Sequence, residues 1–385
     1  MEPAPVPVER RRPSAAGRGR VVSGPRPAVV IGGGVVGLSA ACHLAEAGVR
    51  TVLLERDELG SGASRATADV VRTYFPGNPV SSAMAVRSLA AYRAFGERAG
   101  AAVPLRRVGY LVLFGEQEQV AACEADLPAQ RAAGVDVELI GADEARRRNP
   151  LLGDVPLVAA AWSPDAYVSD TAAIVAGFAE AARRAGAELR TGCPVKAVDI
   201  GAGRVDTGDG PLAAHAVVCA AGAWSAPLAR SAGVELPLGD PVEQELLECG
   251  PPPSGAPMPD VPMTLHAASG LLVRRRGDGL LVGMGYPGAD RDGWRARVRE
   301  RLAEVYPALA GADVRTAFTG VRDASPDRTE FIGRLPGAIP FLYAAGFSGH
   351  GLCTAPAAGE VVRDLYSGRA PGVDAGRLAA TPERV

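Results

Sequence analysis

The chain has 385 residues, 47% apolar and 22% charged, a balance that suits one large or two ordinary globular domains and excludes a disordered chain. Its 41 basic and 43 acidic residues leave a net charge of -2, without the concentrated basic character that nucleic acid demands. No apolar run reaches the roughly 18 residues of a membrane span, and the six cysteines and four histidines are scattered, which points to reduced thiols, a cytoplasmic setting and no metal site.

Residues 1–26 are rich in Pro, Arg and Gly and are expected to be a disordered tail. An export signal would need an apolar segment after Arg10–Arg12, and the first such segment is already committed to a strand. That strand, 28–31, runs into the turn GGGVVG and a helix at about 36–47, with Val36, Ala40, Leu44 and Ala47 on one face. A second strand, 51–54, ends in Glu55. Gly32, Gly34 and Gly37 satisfy GxGxxG: a tight turn, close approach of the backbone to a pyrophosphate, and close helix–strand packing. The pyrophosphate would lie over the helix N-terminus, where unpaired N–H groups favour an anion. Glu55 stands where a carboxylate accepts ribose hydroxyls, and an acid there disfavours the 2′-phosphate of NADP. The small-residue stretch 59–72 is read as a second run of closely approaching backbone, suited to a long, extended cofactor.

Further along, periodicity predicts helices at 80–100, 116–133, 171–185 and 290–306, and strands at 108–114, 188–190, 193–199 and 215–220. Between 236 and about 288 the pattern turns to alternation, with 261–267 and 271–285 read as antiparallel strands turning at Gly277–Gly279. The expected fold is α/β: a Rossmann-like nucleotide domain from 27–80, 160–235 and 316–370, with a mainly antiparallel α+β substrate domain inserted as 81–159 and 236–315. Residues 371–385 form a C-terminal tail. Two consecutive domains are the alternative.

The motifs VVIGGGVVGLSAA (29–41), LLERDELGSGAS (53–64), VVCAAGAWS (217–225), GVRDASPDRTEFIG (320–333) and YAAGFSGHGLCTAP (343–356) span most of the chain. Together they resemble the amine- and amino-acid-oxidising flavoproteins of the D-amino-acid oxidase superfamily, which include glycine oxidase and the sarcosine oxidases. The resemblance implies noncovalent FAD, bound by Gly32, Gly34, Gly37, Glu55, Arg56, Ser61, Ala63 and Ser64. It further implies that Val195 contacts the adenine through its backbone and that Gly222 lines the cofactor groove. The loop holding Gly346, Gly349, His350 and Gly351 would precede a helix whose N-terminus faces the flavin. A positive helix end there stabilises the charge that arrives with hydride.

Two arginines match substrate-clamping patterns. Arg322, in GVR, corresponds to the carboxylate arginine of glycine oxidase, with Asp323 where proline often follows. Arg72, in VVRTYF, corresponds to the sarcosine oxidase arginine, but Cys353 stands where that enzyme has its assisting lysine. Gly320 occupies the position of the flavin-tethering cysteine of monomeric sarcosine oxidase and cannot form the thioether. Tyr74, Phe75, Tyr110 and Tyr286 are candidates for the pocket wall. The implied substrate is a small amino acid or amine, oxidised by hydride transfer from its alpha carbon to flavin N5, with oxygen reduced to hydrogen peroxide. The alternative is a dehydrogenase subunit passing electrons to a protein acceptor. A noncatalytic FAD-binding subunit and an FAD hydroxylase are the remaining classes, and oligomeric state stays open.

Overall fold

The computed structural model describes residues 26–100 and 102–380. The tail expected at 1–26 therefore lies outside the described residues but for Arg26. Six strands form one sheet in the order Phe331–Leu335, Phe341–Ala345, Ala216–Cys219, Ala28–Ile31, Thr51–Leu54, Glu188–Arg190. All neighbours run parallel except the first pair. The strand AVVI is buried along its whole length because both faces are covered. Ala28 and Val30 join the core under the helices Val35–Glu46, Thr171–Arg184 and Gly351–Tyr366. Val29 and Ile31 join the opposite core, which is closed by a three-stranded antiparallel sheet over residues 195–213 and by the helix Ser225–Ser231.

A second sheet has eight strands, ordered Val314–Arg322, Val242–Cys249, Gly279–Met284, Leu271–Arg276, Met263–His266, Tyr110–Phe114, Ala159–Ser163, Glu138–Gly141. Only Met263–His266 and Tyr110–Phe114 pair in parallel. Alternation sends Leu247, Cys249, Val273, Leu280 and Val282 to one face, where Trp294, Val298 and Leu302 of the helix Arg291–Val305 cover them. The other face looks toward the six-stranded sheet. By strand membership 159–163 and 314–322 belong to the larger sheet. Met84, Leu89 and Tyr92, by contrast, pack into the core of the smaller one.

The expected helices and strands sit close to where periodicity places them, with instructive exceptions. The helix expected over 80–100 breaks at Ala94 into Pro79–Arg93 and Phe95–Ala99. The break directs Phe95 edge-on against Phe178, with 4.8 Å between ring centroids. Asn78 caps the first part, its side chain accepting from Ser81 N–H at 3.0 Å. Part of the tail expected beyond residue 370 is docked: Leu378 is fully buried, and its carbonyl accepts from Ile332 N–H at 2.9 Å.

The helix Gly351–Tyr366 contains Pro356, which cannot donate to the carbonyl of Leu352 one turn earlier. That carbonyl is not stranded. The buried hydroxyl of Tyr92, from the helix Pro79–Arg93, donates to it at 2.7 Å. A proline that would weaken an isolated helix thus becomes the acceptor site that locks two helices together.

Candidate active site

The glycine turn after the first strand is fixed by backbone crowding. Gly32 has φ +110°, and a Cβ there would stand 2.3 Å from the Ala220 carbonyl oxygen. A Cβ on Gly37 would stand 2.0 Å from the Gly32 carbonyl oxygen. Gly34 caps the helix Val35–Glu46 without a side-chain hydrogen bond, and Ser64 Oγ accepts from Val35 N–H at 3.0 Å. Glu55 is held at the end of its strand by Gly33 N–H at 2.6 Å and Asp57 N–H at 2.9 Å.

These groups open onto a cavity of about 490 Å³ between the two sheets. Gly32, Gly34, Glu55, Arg56, Ser61, Ala63, Ser64, Arg72, Val195, Gly222, Arg322, Gly349, His350 and Gly351 all line it. Gly37 and Gly346 do not reach the surface of the cavity and act behind it. Gly37 supports the helix–strand packing. Gly346, at φ +74°, donates its N–H to Asp323 Oδ2 at 2.5 Å. Asp323 is a residue that motif reading passed over as a mere departure from proline. Burial pushes its carboxyl pKa up, while N–H groups of Gly346 and Phe347 pull it back, so it shapes the turn that approaches the cavity.

Arg322 ends the edge strand Val314–Arg322 and points into the cavity. Its Nε and Nη1 are shut off from solvent and meet no hydrogen-bond partner among the described residues. Burial, reinforced by Arg328, pushes its pKa down to about 10. The ring of Tyr286 lies 4.7 Å from the guanidinium carbon. Arg72 is differently placed: its Nη1 donates to the Tyr74 carbonyl, and its guanidinium lies 3.8 Å above the Phe75 ring. One arginine is engaged by its own chain, and the other lines the cavity with two buried donors unpaired.

His350 precedes the helix Gly351–Tyr366 at the cavity wall. Its Nε2 lies 3.3 Å from Glu330 Oε2, and Glu330, fully buried, also accepts from Ser81 Oγ at 2.6 Å. Burial raises the Glu330 carboxyl, but hydrogen bonds from His350 and Ser81 outweigh it and hold the pKa below the usual range. Glu330 went unnoticed in the sequence because a lone acid in a turn looks solvated. Of the aromatic candidates, Tyr74 and Tyr110 are core residues 6.2 Å apart, and Phe75 backs Arg72 and His350. Tyr286 touches Arg322 but forms no part of the cavity wall. The apolar wall is instead Leu246, Met263 and Leu272 from the larger sheet. Among the described residues no group of His, Cys, Asp and Glu could hold a metal ion, and no helix is long and apolar enough to cross a membrane.

The sequence profile of the FAD dependent oxidoreductase family matches residues 28–365. The chain belongs to that family. A glycine oxidase of Pseudomonas aeruginosa is 30% identical over 372 residues, covering 91% of this chain and 99% of that protein. Human dimethylglycine dehydrogenase is 27% identical over 364 residues, matching 87% of this chain but 42% of its own length. Among solved structures, L-proline dehydrogenase from P. horikoshii superposes with a TM-score of 0.82 at 27% identity, covering 92% of this chain and 96% of that one. Glycine oxidase from Geobacillus kaustophilus gives 0.77 at 25% identity, covering 92% and 98%.

As a member of this family the chain is an FAD-dependent amine or amino-acid oxidoreductase with a Rossmann-like cofactor domain. The site suits the cofactor on its own terms: crowded glycines bring backbone to the cavity, and two helix N-termini, at Gly34 and His350, border it, the first with Val35 N–H bonded to Ser64 Oγ. Gly32, Gly34 and Ser64 would hold the pyrophosphate, Glu55 the ribose, and Val195 and Gly222 the rest of the groove.

Proposed function

We propose that this enzyme oxidises the C–N bond of a small amino acid or secondary amine whose carboxylate is anchored by Arg322, on noncovalent FAD and with oxygen as acceptor. The observation that carries the reading is the guanidinium of Arg322, with two unpartnered nitrogens at the wall of the cofactor cavity. Leaving buried donors unpaired costs about 1–3 kcal/mol each, and a carboxylate entering the cavity and pairing with the guanidinium offsets part of that cost. Bound FAD supplies the two-electron acceptor for the C–N bond, and the imine product hydrolyses in water. The chain's part is orientation and exclusion of water. Arg322 sets the carboxylate, and Leu246, Met263 and Leu272 dry the wall opposite. His350, held by Glu330, orders the turn that starts the helix Gly351–Tyr366. No dedicated base is needed once the amine has lost its proton.

Noncovalent attachment rests on Gly320, which has no side chain to bond and lies so close to Ala66 that a Cβ would be 2.3 Å from the Ala66 Cβ. A dehydrogenase passing electrons to a partner is the second reading. It is favoured by Lys196, the sole lysine, which lies exposed beside Val195 on the three-stranded sheet and not on the strands that carry Arg322. The test is an anaerobic screen of amino acids and amines for flavin bleaching, followed by air. Rapid return of the yellow colour with peroxide supports the oxidase. A flavin that stays reduced until an artificial acceptor is added supports the dehydrogenase, and failure of every substrate to bleach it overturns both.

A further inference from the structure

The register of the larger sheet sorts the wall of the substrate side into a charged end and a dry end. Across the edge pair, Val242 faces Arg322, Gln244 faces Gly320 and Leu246 faces Phe318. Every second residue of a strand shares a face, so Arg322, Gln244 and Leu246 project from the same one. Leu246 leans over Gly283, where a Cβ would stand 2.8 Å from Leu246 Cδ2, and Gly283 pairs with Leu272 on the next strand. Beyond Gln244 the wall therefore continues as Leu246, Leu272 and Met263, with no charged side chain between them on the cavity surface.

Behind these three side chains is a further void of about 10 Å³, bounded by Ala68, Val273, Leu281 and Gly283. It has room for about one water molecule, and its lining is apolar except for Arg274. The cation that borders the void, Arg274, is already engaged, 3.4 Å from Asp69, and contributes nothing to the main cavity.

From this arrangement we infer that the substrate is an amino acid carrying an apolar group of several carbons, which lies on Leu246, Leu272 and Met263 while its carboxylate pairs with Arg322. The inference rests on the carboxylate-anchor reading and deepens it. Glycine fills only the charged end and leaves the dry wall uncovered. A second carboxylate on the substrate would meet that dry wall; the cation that borders it on the cavity, Arg72, is held by the Tyr74 carbonyl and the Phe75 ring.

Unreactive carboxylates test this in the FAD-loaded enzyme, read by perturbation of the flavin absorbance and independently of turnover. From acetate through propionate to butyrate, Kd should fall about fourfold per methylene, the equivalent of about 0.8 kcal/mol. Glutarate should bind more weakly than butyrate. Leu246→Ala should flatten the series, and Leu272→Val, a smaller change, should shrink each step if the alanine variant fails to fold. Binding that depends on Arg322 but shows no dependence on chain length, or glutarate binding better than butyrate, overturns the inference and leaves the anchor standing. If no acid perturbs the flavin, or Arg322→Met leaves every Kd unchanged, the anchor reading and this one fall together.

Discussion

Arg322 and Arg72 show how two side chains of equal charge are separated by their surroundings. Arg322→Met removes the carboxylate's partner, and breaking such a pair costs about 3–5 kcal/mol when buried. With the cavity open to cofactor and substrate, a loss of affinity of one to two orders of magnitude is expected, with FAD content unchanged. The same variant should be more stable to heat without substrate, by about 1 kcal/mol, because unpaired buried donors disappear. Arg322→Lys should recover only part of the affinity, lacking the bidentate fork. In parallel, Arg72→Met should chiefly lower stability, since Arg72 bonds the Tyr74 carbonyl and stacks on Phe75. Carboxylate titrations and melting curves of both variants decide the assignment. Were Arg72→Met to abolish binding while Arg322→Met left it within twofold, the anchor would be Arg72. The family resemblance brought both arginines forward and favoured Arg322, because Cys353 replaces the lysine that assists the Arg72-type clamp. Which guanidinium is occupied by its own chain depends on contacts with Tyr74, Phe75 and Tyr286, and no local pattern encodes them.

At the scale of elements, the helix Gly351–Tyr366 depends on partners drawn from far along the chain. Tyr92→Phe removes the hydroxyl that serves the Leu352 carbonyl and leaves a buried acceptor unpaired, a cost of about 1–3 kcal/mol. Pro356→Ala restores the helix's own donor, so the double variant should recover much of the loss; a denaturant-unfolding cycle that is strictly additive would refute this coupling. The packing of this helix on Val35–Glu46 sets a second expectation. His43 is fully buried, with Nδ1 2.8 Å from the Ser39 carbonyl and Nε2 3.0 Å from Arg98 Nη1. With Arg98 donating to Nε2, the ring is neutral and carries its proton on Nδ1. Burial, aided by Arg98, lowers its pKa to about 3 from 6.5. The unfolded chain therefore binds a proton that the folded chain refuses between those values, so stability falls as pH drops from 6.5 toward 3. By pH 4 the loss is of order 3 kcal/mol, and His43→Gln should flatten that part of the pH–stability curve. The helices themselves were legible from their periodicity. The hairpin Arg204–Thr207 and Gly210–Ala213 was not read, although TGDG between two short alternating runs marks it. Strands of three or four residues owe their existence to neighbours more than to their own composition.

For the whole molecule, the dinucleotide-binding half of the fold was readable because the strand, the glycine turn, the helix and the acid at Glu55 are consecutive in sequence, whereas the choice of FAD and the antiparallel domain leaned on the family resemblance. The dry wall was hidden because Leu246, Met263 and Leu272 come from three strands whose neighbours are set only by the assembled sheet. Filtration after denaturation should release the flavin completely, given Gly320 at the tethering position; colour retained by the precipitate would reveal another bond. Added FAD should raise the melting temperature with concentration, as any ligand that favours the folded state must.

The strand order of the six-stranded sheet carries a consequence for biogenesis. The strand Ala28–Ile31 pairs with Ala216–Cys219, and that strand in turn waits for Phe341–Ala345. During synthesis the strand Ala28–Ile31 stays without one neighbour until nearly two hundred further residues have emerged, and the sheet is unfinished until Phe341–Ala345 is out. Its edges stay exposed throughout that interval, a long window for pairing with the wrong chain. Ribosomes stalled before residue 330 should carry protease-sensitive chains unable to retain FAD, and protection should appear abruptly once the helix Gly351–Tyr366 clears the exit tunnel. The N-terminal position of the glycine turn gives the nascent enzyme no early foothold on its cofactor.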